Sequence, residues 1–137
     1  KLGAALMPIK DLMHTDDKLP LISQDAPFSD ILNIISSKGY GIVGFENDIG
    51  EMSGVITDGD VRRYITKNTD GSMKEVMFGT SGKEIMTKSF VSFEENQSCA
   101  KILSVLEQKN ISSAFVLKNG KPLGLISMLM LIQAGVA

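Results

Sequence analysis

The chain has 137 residues, of which 43% are hydrophobic and 22% charged, values that are ordinary for a globular protein. A net charge of −2 argues against a general nucleic-acid or membrane-surface binder, and no apolar run approaches the roughly 18 residues of a membrane span. The single cysteine, Cys99, excludes a disulfide within the chain and fits a reducing, cytoplasmic location. Because the chain begins with Lys1, we expect the native protein to be longer.

Three short motifs occur twice, in the same order and roughly 70 residues apart, which predicts an internal duplication. We expect a linker over 1–8, a first repeat over 9–66, a connector over 67–82 and a second repeat over 83–137. The paired motifs are KDLM at 10–13 with KEIM at 83–86, ILNIISSK at 31–38 with ILSVLEQK at 102–109, and SGVIT at 53–57 with LGLIS at 123–127.

The first repeat predicts a strand, a helix, a hairpin and a second helix. A short extended piece, Leu19 to Ile22, precedes a helix with Pro27 in its first turn. Two strands, Ile42 to Phe45 and Gly54 to Thr57, form the hairpin, and a closing helix begins near Asp58. The first helix has one apolar face made by Phe28, Ile31, Leu32 and Ile35.

The second repeat predicts the same order of elements. A short strand, Phe90 to Phe93, precedes a helix that Ser98 can cap. Asn119-Gly120 joins two apolar runs and is a strong hairpin signal, and a closing helix begins near Met128. The two strands of the hairpin are Ala114 to Leu117 and Leu123 to Ser127. The first helix of this repeat has an apolar face made by Cys99, Ile102, Leu103 and Leu106. Because Cys99 lies on this face, we expect it to be a buried thiol.

The candidate site is the stretch GVITDGDVRRYI at 54–65. A helix that starts at Asp58 directs unpaired N–H groups beyond Thr57, and such ends favour anions. Arg62 and Arg63 are the only arginines in the chain, and a cation near a helix start is unfavourable with the helix dipole. Two compensations stay open: ion pairs with the nearby aspartates, or a bound phosphate held by a guanidinium group.

The corresponding stretch of the second repeat lacks the acidic residue. Ser127 stands where Thr57 stands, but Met130 occupies the place of Asp60. A thioether is a weak acceptor for a ribose hydroxyl. We therefore expect at most one nucleotide site in the chain, although Thr57 and Asp60 could also serve only as helix caps.

The repeated order and the motif Gly54-Val55-Ile56-Thr57-Asp58-Gly59-Asp60 resemble a pair of CBS domains. The resemblance implies an α/β (α+β) fold of two β-α-β-β-α repeats packed with pseudo-twofold symmetry. It also implies a regulatory module that binds an adenosyl nucleotide in the cleft between the repeats. In that case Thr57 contacts the ribose or phosphate and Asp60 accepts from the ribose hydroxyls; the predicted ligand-binding residues are Thr57, Asp58, Gly59, Asp60, Arg62 and Arg63.

A narrower resemblance joins the chain to the C-terminal region of the arabinose-5-phosphate isomerase family. It rests on Met13-His14-Thr15, on TDGDVRR at 57–63 and on QAGVA at 133–137. That family implies a parent enzyme of the Kdo pathway whose catalytic SIS domain is covalently linked to this module. The effector would be a nucleotide or sugar nucleotide, either CMP-Kdo or an adenosyl nucleotide, and no cofactor is required.

The residues give little support to a metal site or to catalysis by this chain. His14 with Asp16 and Asp17 could suggest a metal site, but loop residues of this kind have no fixed face, so no metal is expected. No nucleophile–base pair is visible, so the chain alone is not expected to be an enzyme. The alternatives are a CBS pair of a sugar-nucleotide transferase and a ligand-free dimerisation module. In each case we expect a homodimer through the helices, with neither nucleic acid nor membrane as a partner.

Overall fold

The computed structural model describes residues 2–68 and 70–136. Lys1, Thr69 and Ala137, which fall in the predicted linker, connector and second repeat, lie outside the described residues. The chain divides into two compact units. The first-repeat unit runs from Pro20 to Phe90, and the second-repeat unit joins the residues up to Leu19 with those from Val91 onward. No helix among the described residues is long and apolar enough to cross a membrane.

The first-repeat unit contains a three-stranded sheet in the order β1-β2-β3, where β1 is Leu21–Ser23, β2 is Ile42–Glu46 and β3 is Met52–Thr57. The first two strands are parallel and the last two antiparallel, so a helix joins the first pair and a hairpin the second. The helices are α2 (Phe28–Lys38), α3 (Asp58–Lys67), α4 (Met73–Gly79) and α5 (Gly82–Ile85).

The second-repeat unit repeats this arrangement with a sheet in the order β4-β5-β6. Its strands are β4 (Ser92–Phe93), β5 (Ser113–Lys118) and β6 (Lys121–Ser127). Its helices are α1 (Leu2–Leu6), α6 (Cys99–Lys109) and α7 (Met128–Gln133), and α1 lies against α6. Two short 3₁₀ turns, Ile9–Asp11 and Asp16–Lys18, precede β1. The α+β fold predicted from the sequence is confirmed.

The apolar faces predicted for the first helix of each repeat point into the cores. Phe28 and Ile31 are buried in α2, whereas Leu32 and Ile35 are only partly buried. All four face residues of α6 are buried, and Ser98 caps that helix by accepting from the Lys101 N–H at 3.2 Å. Pro27 is not in the first turn of α2: it precedes the helix with an extended ψ of 159°.

The β5–β6 hairpin has the predicted turn. Asn119 and Gly120 adopt φ values of 54° and 79°, and Lys118 pairs with Lys121 across them. Two consecutive left-handed residues match the right-handed twist of the flanking strands, which explains the choice of Asn-Gly. The two strands of the first hairpin extend slightly beyond the prediction, to Glu46 and from Met52.

Two regions to which the sequence assigned no element contain helices. Helix α1 lies within the predicted linker, and α4 with the start of α5 lies within the predicted connector. These helices are only 5, 7 and 4 residues long, which is too short for a clear apolar period, and Val76 is the buried residue of α4. Helix α4 is held by packing against α2.

The segment that leads into each repeat pairs with the sheet of the other repeat. His14 forms an antiparallel bridge with Leu125 in β6, and Thr87 forms the equivalent bridge with Val55 in β3. This exchange explains why residues up to Leu19 belong to the second-repeat unit.

The exchange also explains the glycines of the repeated motifs. A Cβ on Gly54 would lie 2.6 Å from Sδ of Met86, and a Cβ on Gly124 would overlap Met13. The methionine of each leading motif therefore packs directly on the glycine of the other repeat's strand.

Candidate functional site

The candidate site lies where β3 passes directly into α3. Thr57 is the N-cap residue, with an extended backbone at φ −104° and ψ 165°. Its hydroxyl oxygen accepts from the Asp60 N–H at 3.2 Å, and Asp60 Oδ2 accepts from the Thr57 N–H at 3.0 Å. These two bonds form a reciprocal capping box, which satisfies donors that a helix start would otherwise leave unpaired.

The second carboxylate oxygen of Asp60 is paired with Arg63. The Arg63 guanidinium donates through Nη2 to Asp60 Oδ1, three residues away on the same face of α3. The Arg63 side chain is 67% exposed and that of Asp60 is 28% exposed, so solvent reaches the arginine more freely. A Cβ on Gly59 would lie 3.5 Å from Arg63 Nη1 and 3.7 Å from Thr57 Oγ1, so the guanidinium folds back over Gly59 towards Thr57.

Asp60 stays ionised because its partners outweigh its burial. Burial is the largest single influence and opposes ionisation. The hydrogen bond from the Thr57 N–H, the bond from Arg63 and the bond to the Thr57 side chain all favour the carboxylate, and together they lower the pKa of Asp60 below its ordinary value. The site thus presents a partly buried negative charge beside an exposed positive one.

The other predicted residues have different surroundings. Asp58 is exposed; its N–H donates to the Gly41 carbonyl at 3.0 Å, and its carboxylate lies against Gly41, where a Cβ would be 3.3 Å from Oδ2. Gly41 has a φ of +70°, which glycine adopts without strain. Arg62 is exposed, and its side chain forms no ion pair within residues 2–68 and 70–136.

The structure therefore brings Thr57, Gly59, Asp60 and Arg63 together, while Asp58 faces Gly41 and Arg62 is exposed, with no ion pair among the described residues. Sequence reasoning missed the contribution of the residues before β2. The Gly39-Tyr40-Gly41 stretch was a usable signal, because two glycines directly before an apolar strand indicate a close approach of backbone segments. Tyr40 is half-buried beside this turn, and burial raises the pKa of its hydroxyl.

The corresponding helix start in the second-repeat unit has the cap without the charges. Ser127 Oγ accepts from the Met130 N–H at 3.1 Å, and the Met128 N–H donates to the Ser112 carbonyl at 2.8 Å. Both bonds have exact counterparts at α3. Met130 and Gln133 occupy the places of Asp60 and Arg63, so this helix start carries neither the carboxylate nor the guanidinium.

The histidine and the cysteine belong to the second-repeat unit. Burial, followed by the nearby Lys18, lowers the pKa of His14. Cys99 is fully buried, and burial, followed by the charge of Asp11, raises the pKa of its thiol. Within the part of the chain that the structure describes, no three His, Cys, Asp or Glu side chains are placed to hold a metal ion together.

Comparison with known proteins shows which families are similar to this chain in sequence. The CBS domain family matches residues 9–67 and 83–137. Arabinose 5-phosphate isomerase KdsD from Yersinia pestis is 28% identical over 131 residues, which cover 96% of this chain and 38% of that protein. KdsD from Escherichia coli K12 is 26% identical over the same shares. The chain thus spans well under half the length of these relatives.

Solved structures share the fold at lower sequence identity. CBSX2, solved in complex with AMP, has a TM-score of 0.79 and 16% identity, with 95% of this chain and 96% of that chain covered. The CBS domain pair of MJ0100, solved with 5′-methylthioadenosine and S-adenosyl-L-methionine, has a TM-score of 0.78 and 15% identity, with 93% and 94% covered.

Proposed function

The chain belongs to the CBS domain family, and on this premise we propose that it is a regulatory module that binds a nucleotide or sugar nucleotide at the start of α3. One observation carries the proposal. A hydroxyl, an ionised carboxylate and an exposed guanidinium meet at Thr57, Asp60 and Arg63, on a single helix start. Ribose needs an acceptor and phosphate needs a cation with N–H donors, and this arrangement offers both. The adenosyl nucleotides bound by CBSX2 and MJ0100 support the same ligand class.

The existing hydrogen bonds leave room for a ligand. A carboxylate has about four acceptor positions, and Asp60 uses up to three of them, for the Thr57 N–H, the Thr57 side chain and Arg63. The position that remains can accept from a ribose hydroxyl without breaking the cap. Arg63 is held by an exposed ion pair, which is weak in water, so its guanidinium can turn to a phosphate at small cost. Arg62, without an ion partner in the described residues, supplies a second cation.

The parent protein we propose is an arabinose-5-phosphate isomerase of the Kdo pathway. The support is the similarity to KdsD over nearly the whole chain, together with the share of those proteins that the chain leaves uncovered. In this proposal the isomerase chemistry belongs to a linked SIS domain. We place CMP-Kdo ahead of AMP or ATP, because feedback from the activated sugar would act on this pathway and because CMP-Kdo offers the arginines a carboxylate as well as a phosphate, whereas an adenine nucleotide has no carboxylate.

Titration calorimetry with AMP, ATP and CMP-Kdo tests the proposal. We expect one site per chain for at least one of these compounds. Asp60→Ala should weaken binding about tenfold or more, because it removes a charge-assisted partner of roughly 1.5–3 kcal/mol. The matched control is Ser127→Ala, which removes the equivalent cap in the other repeat and should leave the affinity unchanged. Two equivalent sites per chain, or equal losses in both variants, would contradict the assignment to α3.

The double variant Arg62→Gln, Arg63→Gln tests the cations separately. It should weaken binding and flatten its dependence on salt, because two exposed charges no longer attract the anion. If the double variant binds every compound as tightly as the unmodified chain, the arginines are surface partners of the aspartates only. Absence of binding for all three compounds would favour the dimerisation module instead.

A homodimer is supported by the outer face of α7. Leu129 and Ile132 lie one turn apart on that helix and are 62% and 50% exposed, which is unusual for large apolar side chains. We propose that a second copy covers this face. Sedimentation at tens of micromolar should show a dimer, and Leu129→Lys should shift it towards the monomer. A chain that sediments as a monomer at this concentration would rule the dimer out.

A further inference from the structure

The two leading segments, 7–14 and 80–87, occupy equivalent grooves on the two units. Each groove is formed by the last strand of a sheet and the start of a helix. Segment 7–14 lies in the groove of the second-repeat unit, and segment 80–87 lies in the groove of the first-repeat unit. Each segment therefore leads into one repeat and packs against the other.

The backbone does not distinguish the two grooves. Each segment makes the same set of backbone hydrogen bonds, at 2.8 to 3.1 Å. For segment 7–14 the donor–acceptor pairs are Ile9–Gln97, Lys10–Glu95, Cys99–Met7, His14–Leu125 and Leu125–His14. For segment 80–87 they are Gly82–Ala26, Lys83–Gln24, Phe28–Thr80, Thr87–Val55 and Val55–Thr87. The methionine on the motif glycine is also common to both. Nothing in these shared contacts tells one segment from the other.

The side chains of the two grooves differ in size, and the clearest difference involves one strand position of each groove. Phe45 in β2 pairs with Gly54, and its counterpart Val116 in β5 pairs with Gly124. Opposite the large Phe45 the segment carries Gly82, whose Cβ would run into the phenyl ring, with Cζ at 3.1 Å and two ring atoms nearer still.

In the second-repeat unit the sizes are reversed. Ile9 takes the place of Gly82, is fully buried, and belongs to the same core cluster as Val116. A large strand residue thus lies against a glycine in one groove, and in the other a smaller strand residue shares a buried cluster with an isoleucine.

We propose that these two pairs, Phe45 with Gly82 and Val116 with Ile9, form a size code that assigns each leading segment to its groove. Ile9 cannot occupy the groove that contains Phe45, because its side chain would overlap the phenyl ring. Gly82 in the Val116 groove would leave a cavity of isoleucine size. The interaction surface is the groove, and the partner it selects is a segment of this chain.

Such a code matters in a chain with two similar repeats. Without it, a segment could pair with its own repeat, or with the equivalent groove of a second chain. Repeat proteins misassemble by this route, and exchange between identical chains produces intertwined oligomers.

The first test is a double-substitution cycle in the full chain, followed by thermal unfolding. Gly82→Ala should lower the unfolding midpoint by roughly 5–10 °C, because the added methyl meets the ring. Phe45→Val alone also lowers the midpoint, because it truncates a fully buried ring, but in that background Gly82→Ala should cost little or nothing. Gly79→Ala is the control, since a Cβ there meets nothing within 4 Å, and its effect should be small and independent of Phe45. If Gly82→Ala does not fold, a folded double variant supports the code and an unfolded one overturns it, as does strict additivity of the two changes.

The second test separates assignment from packing. The variant Gly82→Ile, Phe45→Val gives both grooves an isoleucine opposite a valine, which removes the code while keeping both cores filled. We expect it to fold, but to refold from urea at high concentration into a greater share of assemblies larger than the native one, as measured by size-exclusion chromatography. Refolding to the same distribution of species as the unmodified chain would overturn the proposal, and so would a variant that stays unfolded.

Discussion

Replacing Asp60 by asparagine in the absence of ligand measures what the carboxylate contributes to the fold. Asparagine keeps the shape and can still accept from the Thr57 N–H, but it loses the charge beside Arg63 and at the helix start. The exposed ion pair contributes about 0.2–1 kcal/mol, and a negative charge in the first turn about 0.3–1 kcal/mol. We therefore expect Asp60→Asn to lower the free energy of unfolding by about 0.5–1.5 kcal/mol at neutral pH.

The pH dependence of this difference identifies its cause. Because the folded pKa of Asp60 lies below its ordinary value of 3.8, the carboxylate stabilises the fold above that value. The contribution declines as the pH falls through the lowered pKa, where the native carboxylate also becomes protonated. The stability of the asparagine variant should therefore converge on that of the unmodified chain in acid, while the two differ at neutral pH.

Urea unfolding of both proteins, from about pH 7 down to about pH 2, gives the required comparison. Ser127→Ala is the matched control, because that variant loses a cap of the same geometry that contains no ionisable group. It should cost about 1 kcal/mol, with little change between neutral and acid pH. The reasoning fails if Asp60→Asn has no effect at neutral pH, or if its effect is the same in acid.

Three other positions give further tests. Cys99 is fully buried with a raised thiol pKa, so a thiol reagent should label it only after unfolding; rapid labelling of the folded chain would contradict its placement. Gly120→Ala should lower the free energy of urea unfolding by about 1–2 kcal/mol, because φ is +79° there; an unchanged value would mean that the turn is of another type. Tyr64→Phe should lower the free energy of unfolding by about 0.5–1.5 kcal/mol, since the tyrosine hydroxyl lies 2.9 Å from Oγ1 of the buried Thr80. Thr80→Val added to this variant should lower it little further; if the two losses are additive, that hydrogen bond is excluded.

The local elements could be predicted from the sequence because their signals are local. The apolar spacing of α6, the Asn119-Gly120 turn and the start of α3 at Asp58 each depend on a few neighbouring residues. Helix α4 was not predicted, because a short helix with Val76 as its buried residue has no clear period.

Local signals could not predict which repeat each leading segment packs against. The recurrence of KDLM as KEIM was visible, but pairing between His14 and Leu125 joins residues far apart in the chain. Periodicity gives no information about such partners. The glycines of the two strand motifs could have indicated them, because Gly54 and Gly124 mark places where another segment approaches closely.

For the candidate site, the sequence predicted Thr57 and Asp60 as ligand-binding or cap residues, and the structure shows them as the capping box of α3; the sequence left the arginines undecided. The structure places Arg63 on Asp60, so the ion-pair alternative holds for that residue, whereas Arg62 has no ion partner in the described part of the chain. Spacing could not separate the two, because positions three and four residues apart on a helix are both neighbours.

The two helix starts also show what the fold itself requires. Helix α7 begins with a hydroxyl cap from Ser127 and a backbone bond from Met128 to Ser112, and it needs no carboxylate. Helix α3 has the same cap and the same backbone bond, to which Asp60 and the two arginines are added. A cation near a helix start acts against the helix dipole, and Arg62 has no ion pair among the described residues to offset this, so helix stability does not explain Arg62. The carboxylate and the two guanidinium groups, which the equivalent helix start does without, are what we would expect of a site for an anionic ligand with hydroxyl groups, and this supports our proposal of a ligand at α3 rather than at α7.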